Sequence, residues 1–301
     1  MWLFYIILYS FFEGLVNYFD EYLTLNNPSR KESSSIYEET GGLIIISTLF
    51  TLAGIIGLGM YLGSSVFDIN LGTYIALLSA IPMVMTWIGY FFMFTKYPAH
   101  HVVPLLGLAS IWLVVTECFL GSTVTLISLV GITVLLLGSY LLDIGDFKTR
   151  ISTGLLIRMI PLSIVWAITL FVVQIASEYN EASYVYFYQL IGIFLLGICL
   201  FCLVKPFRSG FFTRIKEQRK QFLGMSVGVE ITAQLGYLSL TFAIAAAPLV
   251  AYVAAVGGLK SIILTGLLFL FPIHDRNKIT LGQGFAIILI ALGVFIIEFW
   301  R

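Results

Sequence analysis

Four ionisable side chains, Glu13, Arg158, Glu230 and Lys260, sit well inside stretches of this sequence that are otherwise apolar. A charge at the centre of a bilayer costs about 3 kcal/mol on insertion scales unless it is paired or wet, so such residues mark solute or proton pathways by default. Depth sorts the four into two acid–base pairs. Glu13 and Lys260 fall about 12 and 13 residues into their stretches, which at about 1.5 Å per residue is near the middle of a membrane. Arg158 and Glu230 fall about 7 and 9 residues in, closer to one face, at the same rise per residue. Glu13 held as a buried neutral acid would suit proton coupling, because desolvation disfavours a carboxylate. Arg158 and Lys260 each have an alternative, which is to run their stems toward an interface.

Polar and aromatic neighbours extend both pairs. Asn17 follows Glu13 by one helical turn and Gln234 follows Glu230 in the same way, so each amide shares a face with its carboxyl. Trp87 and Tyr90, three residues apart, would either wall a cavity with aromatic rings or pack as core. Glu13, Asn17, Trp87, Tyr90, Arg158, Glu230, Gln234 and Lys260 are therefore the candidate substrate and coupling positions. Glu117, close to the end of its stretch, reads as a wetted carboxylate. Tyr184, Tyr186, Phe187 and Tyr188 read as an interfacial aromatic belt.

Catalytic patterns do not accompany these groups. There is no HExxH, no GxSxG, no Asp-rich metal motif and no GxxxxGK[ST] phosphate loop. His100-His101 lacks a matching carboxylate cluster. Cys118, Cys199 and Cys202 lie in apolar stretches without zinc or disulfide spacing and read as small buried apolar side chains. No catalytic residue, metal or cofactor is expected.

The elements that carry the charged groups must be membrane helices. Hydrophobic residues make up 59% of the chain and charged ones 11%, against about 25% charged in an ordinary soluble domain. Apolar segments run over 1–23, 43–65, 70–94, 98–120, 122–143, 151–177, 182–204, 221–245, 247–271 and 279–300. Each reaches the roughly 20 residues that a crossing helix needs. Runs such as Ile44-Ile45-Ile46 and Leu135-Leu136-Leu137 do not alternate as barrel strands do. Residues 1–23 lack a basic leader and carry Glu13, Asp20 and Glu21, so this segment is expected to stay as the first span.

The loops are short. Thr24–Gly42 is a polar connector. Lys205–Lys220 interleaves Phe207, Phe211 and Phe212 with six cations and reads as an amphipathic piece on anionic headgroups rather than a nucleic-acid site. Of the 16 Lys and Arg, all but Arg158, Lys260 and Arg301 fall in the odd-numbered loops. The positive-inside rule then puts those loops in the cytoplasm and both termini outside.

The chain also repeats itself. Residues 110–143 and 261–298 both open on Ser-Ile, at Ser110 and Ser261. Both pass a polar turn and run through Thr-Leu, at Thr125 and Thr280. Each closes with spaced glycines, Gly131…Gly138 and Gly284…Gly293, followed by an acid, Asp143 or Glu298. Pro104 and Pro248 open the penultimate helix of each half. An odd number of spans per half makes the second half insert upside down, and inverted repeats build solute sites between the halves near the bilayer midplane.

The stretch AIAAAPLVAYVAAVGGLKSIILTGLLFLFP, a polar turn, then ITLGQGFAIILIALGVFII resembles the last two helices of an EamA-type repeat of the drug/metabolite transporter superfamily. FMFTKYPAHHVVPLLGLASIWLVVTECFLGSTVTLISLVGITVLLLG resembles the same motif more weakly. Ser110 and Ser261 stand where the family often has proline. Gly121-Ser122 and His274–Lys278 replace its usual Gly-Glu. Relatives commonly have cytoplasmic termini, opposite to the charge count.

The resemblance implies ten transmembrane helices in two inverted five-helix repeats, 1–145 and 146–301. It also implies an exporter or importer of small metabolites. The expected fold is thus an all-α polytopic membrane protein, and the expected activity is secondary transport of a small polar or amphipathic metabolite by alternating access. The driving force would be a proton or ion gradient, or the solute's own gradient. The mixed charge of the site suits a zwitterionic or polar solute better than a bare cation. An intramembrane lipid-modifying enzyme, a channel and a structural membrane protein remain the alternatives. The expected partners are the small-molecule substrate and the bilayer, with no nucleic acid. The expected setting is a plasma or cell inner membrane, and the chain would be a monomer or homodimer.

Overall fold

A computed structural model describes residues 1–25, 36–144, 153–217, 220–271 and 280–299. Among these residues every regular element is a helix, and there is no strand. Apolar segments of this length leave the backbone no polar partner but itself, and the α-helix satisfies every interior N–H and C=O within the segment.

The first helices are α1 (Trp2–Leu25), α2 (Ile36–Leu62) and α3 (Leu71–Phe94). A capping box starts α3: the Thr73 amide donates to Asn70 Oδ1 at 3.1 Å, and the Asn70 amide donates to Thr73 Oγ1 at 3.2 Å. The next segment is broken into α4 (Ala99–Val102), a 3₁₀ turn over Pro104–Leu108, and α5 (Ala109–Phe119). Pro104 has no N–H to give, which favours a break there. Then come α6 (Leu126–Ile144), α7 (Thr153–Tyr179), α8 (Ala182–Leu203), α9 (Lys205–Glu217) and α10 (Lys220–Ala246). A second broken segment follows, made of α11 (Val250–Val256), a 3₁₀ turn over Gly257–Leu259, and α12 (Lys260–Leu270). The last helix is α13 (Leu281–Phe299).

Among the described residues, eight helical stretches are long and apolar enough to cross a membrane. The protein is consistent with a polytopic membrane protein on that ground. The two other expected spans are shorter, Pro104–Phe119 and Leu126–Leu142. The 3₁₀ turn shortens the first of them. The second starts late, because Gly121 turns the chain at φ 85° and the backbone stays non-helical up to Thr125.

Close helix contacts are made where glycine removes the side chain. α6 and α13 pack antiparallel. Gly138 faces Ala286 and Ile290, and Gly293 faces Gly131 and Leu135. A Cβ on Gly293 would lie 2.8 Å from the Leu135 amide nitrogen and 2.9 Å from the Gly131 carbonyl oxygen, so backbone would have to move. Gly293→Val is therefore expected to cost about 1–3 kcal/mol by overpacking. Gly266→Ala, where a Cβ meets nothing within 4 Å, is expected to leave the protein as stable or more so. Thermal melts of the two variants check this.

α1 packs on α10 and α12, α3 on α7 and α8, α2 on α8, and α5 on α11. Three readings from sequence need correction. The basic segment is helix α9, and its buried face lies along α2 rather than only on lipid. Phe207 and Arg214 are buried there, and a Cβ on Gly210 would overlap the Glu38 carbonyl oxygen. Only its other face, with Lys205, Arg208 and Lys216, is exposed. The three cysteines are free and lie on outer, exposed faces of α5 and α8 rather than buried among side chains. Tyr186, Phe187 and Tyr188 are buried in the bundle, not an exposed belt.

Candidate functional site

A cavity with about 640 Å³ of atom-free space, counted together with the solvent it opens to, lies between α1, α3, α7, α10 and α12. One stripe of α1 builds its first wall. Tyr9, Glu13, Val16 and Asp20 recur at steps of four, three and four residues, which is one face of a 3.6-residue helix. α10 supplies the opposing wall with Glu230, Gln234 and Tyr237 at the same spacing. Thr86, Trp87 and Tyr90 enter from α3, Trp166 from α7 and Lys260 from the first residue of α12.

Glu13 and Lys260 line the same cavity because α1 and α12 come close. A Cβ on Gly14 would lie 2.5 Å from Ile263 Cβ and 3.2 Å from the Lys260 carbonyl oxygen. Both charged residues are 6% exposed, and their charges act on one another across the cavity. Lys260 Nζ stands 5.6 Å from the centre of the Tyr9 ring, a cation–π distance. Glu13 Oε2 has no hydrogen-bond partner.

The aromatic residues are tied down by their polar tips. Trp87 Nε1 donates to Tyr237 Oη at 3.1 Å, and the Tyr90 hydroxyl donates to Asn17 Oδ1. Asn17 thus stands behind the wall, 1% exposed, with Nδ2 unpartnered. The Tyr186 hydroxyl donates to Gln234 Oε1 at 2.6 Å and fixes that amide. Glu230 Oε1 accepts from the Ser47 hydroxyl at 2.5 Å.

Arg158 is the candidate that the structure does not bring to the site. It is exposed on α7 and does not line the cavity. The buried stripe of that helix runs Leu155, Met159, Leu162, Trp166, Leu170, and Arg158 falls beside it. The expected Arg158–Glu230 pair is replaced by Ser47–Glu230. Arg158→Gln is expected to change solute flux by no more than about twofold, as for surface substitutions generally; proteoliposome uptake beside the unaltered protein checks it.

Asp20 and Ser47 are site residues that sequence reading missed. Asp20 is 7% exposed, and the Arg214 charge from α9 acts on it. Glu117 also needs correction. It is not wetted but 2% exposed, and its Oε1 accepts from the Val250 amide at 2.7 Å. An acid on α5 therefore caps the start of α11.

A second pocket, with about 390 Å³ of atom-free space counted together with the solvent it opens to, adjoins the first through Tyr9, Leu106, Trp166 and Lys260. Pro104 and Gly107 of one 3₁₀ turn line it, together with Gly257 and Gly258 of the other. Irregular backbone at membrane depth is tolerated where it faces such a space. Among the described residues, no group of three or more His, Cys, Asp or Glu could hold a metal ion.

No family model matches the chain, and no curated protein matches it in sequence. A solved crystal structure, described only as that of a protein, is similar with a TM-score of 0.65. The similarity covers 96% of this chain and 98% of the other at 12% identity. At that identity the likeness is one of fold alone.

Proposed function

We propose that this chain is an EamA-type secondary transporter of a small polar or amphipathic metabolite. It works by alternating access between two inverted five-helix repeats, 1–145 and 146–301, in a plasma or cell inner membrane. The observation that carries the reading is the Glu13–Lys260 cavity next to two broken helices. Transporters of this architecture bind solutes beside discontinuous helices at the repeat interface.

The packing pattern supports the repeat. Counting the broken segments as single crossings, α1 to α6 make the first five and α7 to α13, without α9, the second five. Exchanging the halves turns the α1–α10 contact into the α7–α3 contact, and both are extensive. The same exchange maps α6–α13 and α2–α8 each onto itself. Ser110 and Ser261 are each the second residue of the helix that follows a 3₁₀ turn, and both are fully buried. The two breaks thus fall at the same point of the repeat.

Walls from both halves let one solute be exposed first to one side and then to the other as the halves rock. Glu13, central and lacking a partner at Oε2, is the group that would carry a coupling proton.

The test is uptake of a pooled set of amines, amino acids, carboxylates and sugars into proteoliposomes, read by mass spectrometry, with and without a pH gradient. At least one solute is expected to accumulate above empty liposomes. Glu13→Gln is expected to lower that uptake at least tenfold and to remove its dependence on the gradient. Uptake by Glu13→Gln equal to that of the unaltered chain, with the same gradient dependence, sinks the assignment of Glu13.

A further inference from the structure

The arrangement of charge around the cavity differs from the balance of two acids and two bases read from sequence. Arg158 faces outward and Asp20 faces in, so the walls carry three carboxyl groups, Glu13, Asp20 and Glu230, and one ammonium, Lys260.

Position divides these charges. Lys260 and Glu13 act on each other at the α12 end of the cavity. Asp20 feels Glu230 and Glu13 as like charges and, to a smaller degree, the Arg214 cation of α9. Among the described residues the hydrogen-bond partner of Glu230 is the Ser47 hydroxyl and not a cation. Glu230 is partly exposed to the cavity, so its second oxygen is within reach of a solute.

Glu230 shares the cavity with Trp87 and Tyr90, and the polar tips of those two rings are already engaged. Trp87 has given its N–H to Tyr237, and Tyr90 has given its O–H to Asn17. Gln234 Oε1 is held by Tyr186. Trp87 and Tyr90 therefore offer the cavity ring surface rather than donors. A solute that brings its own N–H donors and positive charge gains a carboxylate partner and ring faces that attract cations. A solute that brings a carboxylate meets three acids, and the one ammonium is already opposed by Glu13.

We infer that the cavity takes a protonated primary or secondary organic amine, its ammonium at Glu230 and its apolar body against Trp87 and Tyr90. This inference rests on reading the cavity as the transport site, and it narrows the solute class.

The experiment uses the full chain in nanodiscs at neutral pH and three probes of one shape. Phenethylamine is the cation, phenethyl alcohol the neutral control and 3-phenylpropionate the anion. Binding is followed by tryptophan fluorescence, since Trp87 and Trp166 line the cavity. Phenethylamine is expected to bind saturably and at least tenfold more tightly than the alcohol, with the carboxylate weakest. Glu230→Gln is expected to weaken the amine at least tenfold and to leave the alcohol unchanged. Ser47→Ala keeps the carboxylate and is expected to retain amine binding.

Carboxylate binding equal to or tighter than amine binding overturns the inference. So does amine binding indifferent to Glu230→Gln, or no binding by any probe. The comparison of probes on the unaltered chain stands even if a variant fails to fold. Amine binding without flux of any pooled solute in proteoliposomes overturns transport and leaves the amine site. Flux of a carboxylate without amine binding overturns the amine site and leaves transport.

Discussion

Lys260→Ala is expected to abolish solute flux and to lower the stability of the protein by about 1–3 kcal/mol, the range seen when a buried polar group loses what offsets its desolvation. Lys260 begins α12 directly after the Gly257–Leu259 turn and is 6% exposed, so its ammonium has no route to bulk water along its own stem. The Glu13 carboxyl that it opposes is equally buried, and one of its oxygens lacks any hydrogen bond. Removing the cation leaves that carboxyl among Tyr9, Trp87 and Tyr237 rings with nothing to offset its desolvation.

The double variant Glu13→Gln with Lys260→Ala separates structure from function. It removes both charges and is expected to recover most of the lost stability, because the cost of the single change is mainly that of the orphaned partner. It is not expected to recover flux. Thermal melts in detergent and uptake into proteoliposomes are the two readouts. A Lys260→Ala protein that melts and transports like the unaltered chain would mean that the ammonium reaches an interface after all. The acid–base pair would then not exist.

The α1 wall shows what the sequence offers to a reader. Tyr9, Glu13 and Asp20 recur on one helical face, so Asp20 was available from spacing alone once Glu13 had been singled out. Its nearness to the segment end hid it, because an acid there looks like a boundary. Trp87, Tyr90 and Gln234 were legible for the opposite reason, since large aromatic and amide side chains deep in an apolar segment have few reasons to be there. Ser47 was not legible. Its contact with Glu230 joins residues 183 positions apart, and a serine on an apolar helix commonly bonds its own backbone, as Ser79 does to the Ala76 carbonyl.

Depth alone misplaced Arg158 and Glu117. Counting residues from a segment end gives height in the membrane but not the direction in which a side chain points. Arg158 has the height of Glu230 and the wrong azimuth. Glu117 sits near a segment end, where water would reach it if α11 did not begin against it. The paired 3₁₀ turns were half legible: Pro104 announces one break, whereas Gly257-Gly258 inside an apolar run reads as helix packing. What ties the two together is the Ser-Ile repeat at 110 and 261, a pattern meaningful only when the two halves are laid side by side.

Glu117→Ala carries the other large expected effect, and it falls on access rather than on the solute. Glu117 on α5 accepts from the Val250 amide at the start of α11. One bond therefore joins the broken helices of the two halves at the end of the bundle where α5 stops. Hydrogen bonds to charged groups contribute about 1.5–3 kcal/mol. If this contact holds that end shut, losing about 2 kcal/mol raises the open population roughly 30-fold.

Val253 reads that opening. It lies one turn into α11, lines the second cavity and is fully buried. In a background in which Cys118, Cys199 and Cys202 are replaced, Val253→Cys is expected to react with a water-soluble maleimide about 30-fold faster when Glu117→Ala is added, the same conversion of about 2 kcal/mol. Glu117→Gln keeps an oxygen to accept from the Val250 amide and is expected to fall between the two. A melting temperature lowered by Glu117→Ala with no change in the rate at Val253→Cys would make the carboxyl a helix cap and nothing more. A faster rate with little change in melting temperature would make it a latch, since a population shift between two folded states leaves the unfolding equilibrium nearly untouched.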